Sequence, residues 1–385
     1  MNRKQFILLV VLMLVVGAAG LLVRQRSHDS WQSDAGTIGQ KLLPHLAVND
    51  IAQVTIKSGV TELNLAKRDN LWRVRERGDY PANFSQISDL LVKFADLKVA
   101  QSEDIGPSQL GRFELLPPGG GSTSGTLVEF KDQSGKTVNS VLLGKKHMKK
   151  PTGSSQFGGM GDEGWPDGRY VMAGADSKKL AVVSDPLENV QTGPEPWLNK
   201  DFLSIEKPRV IAVQYPEATN SWKLTRASET NDWQLADAGA GEKLDASKIS
   251  GVTSPFSSPS FNDVAPRKES GTNPVTVLTV ETFDGFTYVV KIGKAEGGNY
   301  PASFTISAQI ATERSPGKDE KAEDKVRLDQ AFKEQQGRLN EKLARETAFT
   351  NWIYQLPSYS VDQLLKPRGQ LLAEVKKDET ATGGK

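Results

Sequence analysis

At 385 residues the chain has room for two or three domains of ordinary size, and its composition, 37% hydrophobic and 25% charged, excludes a wholly disordered polypeptide. A formal net charge of +1 excludes the global basic field that holds nucleic acid. With no cysteine there is no disulfide, no thiolate metal site and no cysteine nucleophile.

The uncharged run 6–23, opening at Phe6 and closing at Val23, is long enough for a helix of ~27 Å, just short of a ~30 Å hydrocarbon core. Arg24 and Arg26 make up the difference by snorkelling. A cleaved signal peptide is the competing reading, with Gly17 and Ala19 ahead of the cut, but the apolar run continues through Leu21, Leu22 and Val23. Residues 1–23 are therefore predicted to be a retained membrane anchor. Arg3 and Lys4 balance Arg24 and Arg26, so charge does not decide orientation. A very short N-terminal tail ahead of a large folded part favours N-terminus in, domain out. Residues 24–46 read as a juxtamembrane linker.

Period-two alternation then predicts strands at 51–56, 63–65 and 71–74, the last carrying Trp72. Asn83 is placed to cap a helix whose apolar residues are Phe84, Ile87, Leu90, Leu91, Phe94 and Leu97. Pro117-Pro118 and Gly119 to Gly121 break the chain. Strands follow at 126–130 and 138–143 around a turn at 132–135, then an irregular Gly-rich loop over 145–168. Strands at 169–172 and 180–183 and a short helical finish over 196–203 end the segment.

The same order returns. Strands are predicted at 210–213, 222–224 and 233–235, with Trp233 in the place of Trp72, and a helix near 246–256. Further strands fall at 275–282, 286–292, 300–310 and 352–356, and Ile292-Gly293-Lys294 echoes Leu143-Gly144-Lys145. A last short helix covers 361–365, and 373–385 is a polar tail. The expected fold is thus α+β: two tandem copies, 47–205 and 206–372, of a mainly antiparallel sheet-plus-helix unit. Trp72, Trp222 and Trp233 read as core.

The copies differ at one junction. The first joins its last two strands through a short turn, 174–178, whereas the second places 313–350 there, rich in Glu, Lys, Arg, Gln and Ala. A helix over 319–349 would be about 45 Å long, exceeding the ~40 Å width of a unit this size. Asp329→Lys333, Glu334→Arg338 and Glu341→Arg345 are i,i+4 pairs in the favourable order. Leu328, Phe332, Leu339 and Leu343 form a narrow apolar stripe. That stripe either docks on its own unit or receives a partner protein, and its four residues are candidate partner contacts.

No constellation carries chemistry. Ser134-Gly135-Lys136-Thr137 ends like a phosphate-binding loop, but Phe130 stands where the leading glycine belongs and the context is strand–turn–strand. Residues 119–125 lack the apolar strand that a nucleophile elbow needs. His28, His45 and His147 are unpaired at ligand spacing, and Asp162-Glu163 and Asp319-Glu320 read as a polar loop and a helix start. Trp165, within the Gly-rich loop, is a further candidate contact. No catalytic residue, metal ligand or cofactor is assigned, and no small-molecule ligand is identified.

With the anchor, the two Trp hairpins, Leu143-Gly144-Lys145, the run from Trp197 to Leu203 and the run from Leu356 to Leu365 in view, the chain resembles a bacterial family called domain of unknown function 4340. The resemblance implies a single-pass inner-membrane protein with its bulk periplasmic, of the kind found beside gliding-motility-type ABC transporters. It carries no catalytic residue. The expected function is a non-enzymatic accessory or scaffold for a membrane complex. The alternative is a periplasmic binding module for a glycan or peptide, using the loop over 145–168.

Overall fold

The computed structural model describes residues 38–119, 121–149, 164–174, 178–267, 276–317 and 320–374. The anchor run 6–23, the juxtamembrane segment to 37, residues 150–163 and the tail beyond 374 lie outside the described residues. Among the described residues no helix is long and apolar enough to cross a membrane. The chain divides into two compact units between Asn199 and Lys200.

In unit 1 the alternating segments form β1 (Gln53–Ser58), β2 (Thr61–Arg68), β3 (Leu71–Val74) and a short β4 (Tyr80–Pro81). Asp69 and Asn70 both take positive φ, as a two-residue hairpin turn between β2 and β3 requires. Helix α1 (Phe84–Asp96) starts on Asn83, whose side chain accepts the Gln86 N–H, and buries Ile87, Leu90, Leu91 and Phe94. Phe94 meets Phe130 edge-on at 5.1 Å. Phe84, expected in this apolar stripe, is 67% exposed. Side chains in a first turn lean past the start of the helix, beyond what the sheet covers.

β5 (Val99–Asp104), β6 (Thr126–Lys131), β7 (Thr137–Lys149), β8 (Trp165–Ala173) and β9 (Lys179–Val183) complete an antiparallel sheet in the order β4-β3-β2-β1-β6-β7-β8-β9-β5. The turn between β6 and β7 is closed by Asp132, whose carboxylate accepts from the Ser134 and Lys136 N–H groups, a solvated turn rather than a phosphate loop. The loop expected over 145–168 is corrected at both ends. β7 runs on to Lys149 and β8 begins at Trp165, because backbone pairing continues after the apolar alternation stops. Gly144 is required there: a Cβ would stand 2.3 Å from the Phe113 carbonyl oxygen. The helical finish shrinks to one 3₁₀ turn, Glu195–Trp197, with Trp197 buried and its indole donating to the Gln191 carbonyl.

Unit 2 contains β10 (Pro208–Gln214), β11 (Trp222–Thr225), β12 (Gln234–Leu235), α2 (Ala246–Ile249), β13 (Asp263–Pro266), β14 (Thr276–Thr282), β15 (Phe286–Ile292), β16 (Asn299–Ala308), α3 (Ala322–Thr347), β17 (Trp352–Pro357) and α4 (Ser358–Val361). Its sheet is also antiparallel, in the order β12-β11-β10-β14-β15-β16-β17-β13. From β3 in one sheet and β12 in the other, strands of equal rank follow in the same order to the far edge. Tyr288, Val290, Phe304, Tyr354 and Leu356 are buried at its centre.

Three expectations for this unit change. Trp222 is core and donates its indole N–H to the Lys366 carbonyl at 2.8 Å, but Trp233 is half-buried and precedes β12. A two-residue strand gives that ring no core to enter, and it lies under the Arg226 guanidinium, 4.7 Å from its centroid. The helix near 246–256 is only the four residues of α2, since Gly251 and Pro255 interrupt it. The last helix, α4, begins three residues earlier than predicted, at Ser358, and ends at Val361.

Candidate functional site

The connection between β8 and β9 turns at Gly174, whereas the one between β16 and β17 holds α3, 26 residues and about 39 Å long. Glu323 and Asp324 occupy its first turn, where carboxylates oppose the positive end of the helix dipole. Of the expected i,i+4 pairs none closes among the described residues. Asp329 instead accepts from Arg314 Nε at 2.8 Å, and Arg314 also forks onto Glu320, fastening the start of the helix to the preceding segment. Glu334 accepts from Gln330, and the pair that forms is Lys342 with Glu346, at 3.9 Å. Exposed i,i+4 pairs contribute only a few tenths of a kcal/mol, so a forked arginine outcompetes them.

Leu328, Phe332, Leu339 and Leu343 are all half-buried. Phe332 and Leu339 form one wall of a shallow cleft of about 190 Å³ whose other wall is Phe283, Gly285, Gln309, Ile310 and Ala311. Gln336 donates to the Ala311 carbonyl across it. Val326, 78% exposed, lies off this stripe on another side of the helix, so the half-burial of the four stripe residues is what measures their cover. The stripe therefore touches its own unit along part of its width and leaves the rest open.

The end of α3 is fixed by Glu346, a carboxylate only 1% exposed. Its Oε2 accepts from the Tyr288 hydroxyl at 2.7 Å, and Oε1 faces the Ser204 N–H at 3.5 Å. Burial, and then the hydrogen bond to Glu346, push the Tyr288 hydroxyl far above its usual pKa. Lys342 donates to the Ser204 carbonyl and stands 5.3 Å from the Phe286 ring centroid. Phe349 meets Phe202 edge-on just beyond. These contacts lock a helix in place; they offer no nucleophile beside a base. Among the described residues, no group of three or more His, Asp or Glu is placed to hold a metal ion.

Sequence reasoning missed Glu346, Tyr288 and Arg314. Glu346 lies three residues after Leu343 and seven after Leu339, on the same stripe, and a charge there was the available signal. Trp165 belongs to unit 1, at the start of β8 opposite Lys149, and is 51% exposed. The four stripe residues share one helix; Trp165 is a separate feature.

Two antiparallel sheets with a few helices define a sheet-rich protein of mixed type, with one long helix set between adjacent strands. Over residues 72–277, more than half its length, the chain matches the family described as Domain of unknown function (DUF4340), and it belongs to that family. No curated protein and no solved structure matches it.

Proposed function

We propose that the protein is a non-enzymatic accessory of a membrane complex, held at the inner membrane by residues 6–23 with its bulk in the periplasm. In this reading the two units are tandem copies of one sheet-plus-helix design, and α3 is the feature the second copy adds for a partner. The observation that carries it is the open part of the α3 stripe: four large apolar side chains half-buried on a helix whose two ends are pinned. A helix needed only to join β16 to β17 has no use for such a surface, whereas an apolar strip beside a charged face fits the groove of another protein. The equal strand orders of the two sheets support the tandem reading. A transporter of the gliding-motility ABC type is the partner class that the family resemblance suggests.

Replacing 313–350 by a Gly-containing turn tests the arm. Purification in mild detergent from membranes is expected to lose transporter subunits while the remaining protein stays folded. Loss of thermal stability with no change in co-purifying subunits would assign the helix to its own unit alone. The anchor has its own test: protease added to spheroplasts is expected to digest the folded part, and a mature N-terminus near Gly20 would refute retention.

A further inference from the structure

We infer that unit 1 carries a separate binding site for an organic carboxylate with a flat apolar body, on the face of its sheet turned away from α1. Leu142 and Met172 pair directly and alternate with Val141 and Leu143, whose face is shared with Phe130 and α1. On their side, Ile105, Leu115, Met172 and Leu180 form a small core of their own, with Phe113 and Tyr170 packed against it. A cavity of about 260 Å³ opens beside it, bounded by Gln101, Gln109, Arg112, Phe113 and Tyr170, with Glu103 at the lining.

A β-bulge supplies the decisive group. Leu143 pairs with Val171 and Lys146 with Arg169, so Gly144 and Lys145 together oppose the single residue Tyr170. Such a bulge re-aims a side chain without ending the strand. Lys145 consequently places its ammonium 5.3 Å from the Phe113 ring centroid and 5.8 Å from that of Tyr170, and it is half-buried. Among the described residues it has no carboxylate within ion-pair reach. Its neighbour Lys146 has one, Glu188 at 2.6 Å. The nearby Asp167 is taken by His147 Nδ1 at 2.6 Å, and the His147 ring stands 5.6 Å from Tyr170. Arg112 has its guanidinium 5.9 Å from the Phe113 ring, also without an ion pair among the described residues.

Two cations that share one aromatic ring, one of them half-buried, call for an anion from outside. Ring faces only partly replace the water an ammonium loses. Arg112 provides the planar fork that matches a carboxylate, and Lys145 a point charge. Phe113 and Tyr170, 4.9 Å apart, provide a surface for a flat body, and Glu103 an acceptor for an amide N–H carried on it. The loop bearing Phe113 is seated on Gly144, leaving no room for a side chain there, so the site is formed in advance.

Titration of the full chain in detergent with N-acetylphenylalanine and with its uncharged amide, followed by calorimetry, tests the site. The acid is expected to bind saturably at millimolar or lower concentration and the amide not to bind. Lys145→Gln and Arg112→Gln are each expected to weaken the acid roughly tenfold or more, as loss of a charge-assisted contact does. Arg112 is exposed, so its variant reports even if the Lys145 variant folds poorly. Benzoate and a short peptide ending in phenylalanine separate a free acid from a chain terminus as the source. Equal affinity for acid and amide, no saturable binding of any of the acids, or binding that survives both substitutions would overturn the assignment.

Discussion

The hydroxyl of Tyr215 is buried without a hydrogen-bond partner among the described residues. Burial first, and then Tyr300, push its pKa up to about 12 from the usual 10. Because the folded value is raised, the folded state favours the neutral phenol. Its contribution is whole below pH 10 and is lost as the pH rises from 10 to 12. Urea midpoints measured across that window are expected to fall less steeply in Tyr215→Phe than in the parent. At neutral pH the same substitution removes an unsatisfied hydroxyl and is expected to be neutral or stabilising by up to about 1 kcal/mol. Glu346→Ala has the opposite sign, since it leaves the buried Tyr288 hydroxyl without its acceptor. A loss of about 1–3 kcal/mol is expected by chemical denaturation. Trp72, 7% exposed, is the core residue its alternating strand predicts, and Trp72→Ala is expected to cost about 3–5 kcal/mol. The same pattern put Trp233 in the core as well. What the pattern lacks is strand length: two paired residues cannot carry a ring into the interior.

Among the elements, the strands buried on one face were legible, because period-two alternation records that burial directly. The ends of β7 and β8 were not, because their polar side chains leave no alternation while the backbone still pairs. Phe113 lies in a 3₁₀ segment with no periodic signature, so its meeting with Lys145 was invisible in the sequence. Gly144 shows how tightly these pieces fit. In Gly144→Ala the new methyl would meet the Phe113 carbonyl, a backbone atom that cannot turn aside. The expected loss is about 1–3 kcal/mol or more, read as a lower urea midpoint. A second clasp closes the end of unit 2, where Arg368 forks onto Glu242 and also reaches Asp237. The Arg368 hydrogen bond, then the Gly239 N–H, hold the Glu242 carboxyl down at about 2 instead of 4.5. A depressed carboxylate contributes above its ordinary pKa and stops contributing as the pH falls through the folded one. The Gly239 amide resonance is therefore expected to hold steady at pH 4.5 and to shift as the pH falls through about 2 and the clasp opens. In Glu242→Gln that shift should be absent.

For the whole molecule, each sheet closes within its own unit. Polypeptides of residues 38–199 and 200–374 are each expected to unfold cooperatively in urea. Residues 72–277, the stretch shared with the family, are not. That cut removes β1 and β2 from the middle of one sheet and, from the other, β15, β16 and β17 with all of β14 but Thr276 and Val277, leaving unpaired strand edges that aggregate. A sharp two-state transition from the 72–277 fragment would contradict the observed strand order. The shared sequence thus marks kinship without marking a folding unit.

The edge strands β5 and β13 each wait for a partner made much later in the chain. Val99 pairs with Val183 and Val264 with Tyr354, separations of 84 and 90 residues. The entropy of closing a loop grows only with the logarithm of its length, so these closures differ by ~0.1 kcal/mol. Although α3 lies inside the second loop and no comparable helix lies among the described residues of the first, the odds that each edge strand finds its partner are nearly equal. The helix can lengthen, shorten or change its outer face without taxing the closure of the sheet that carries it.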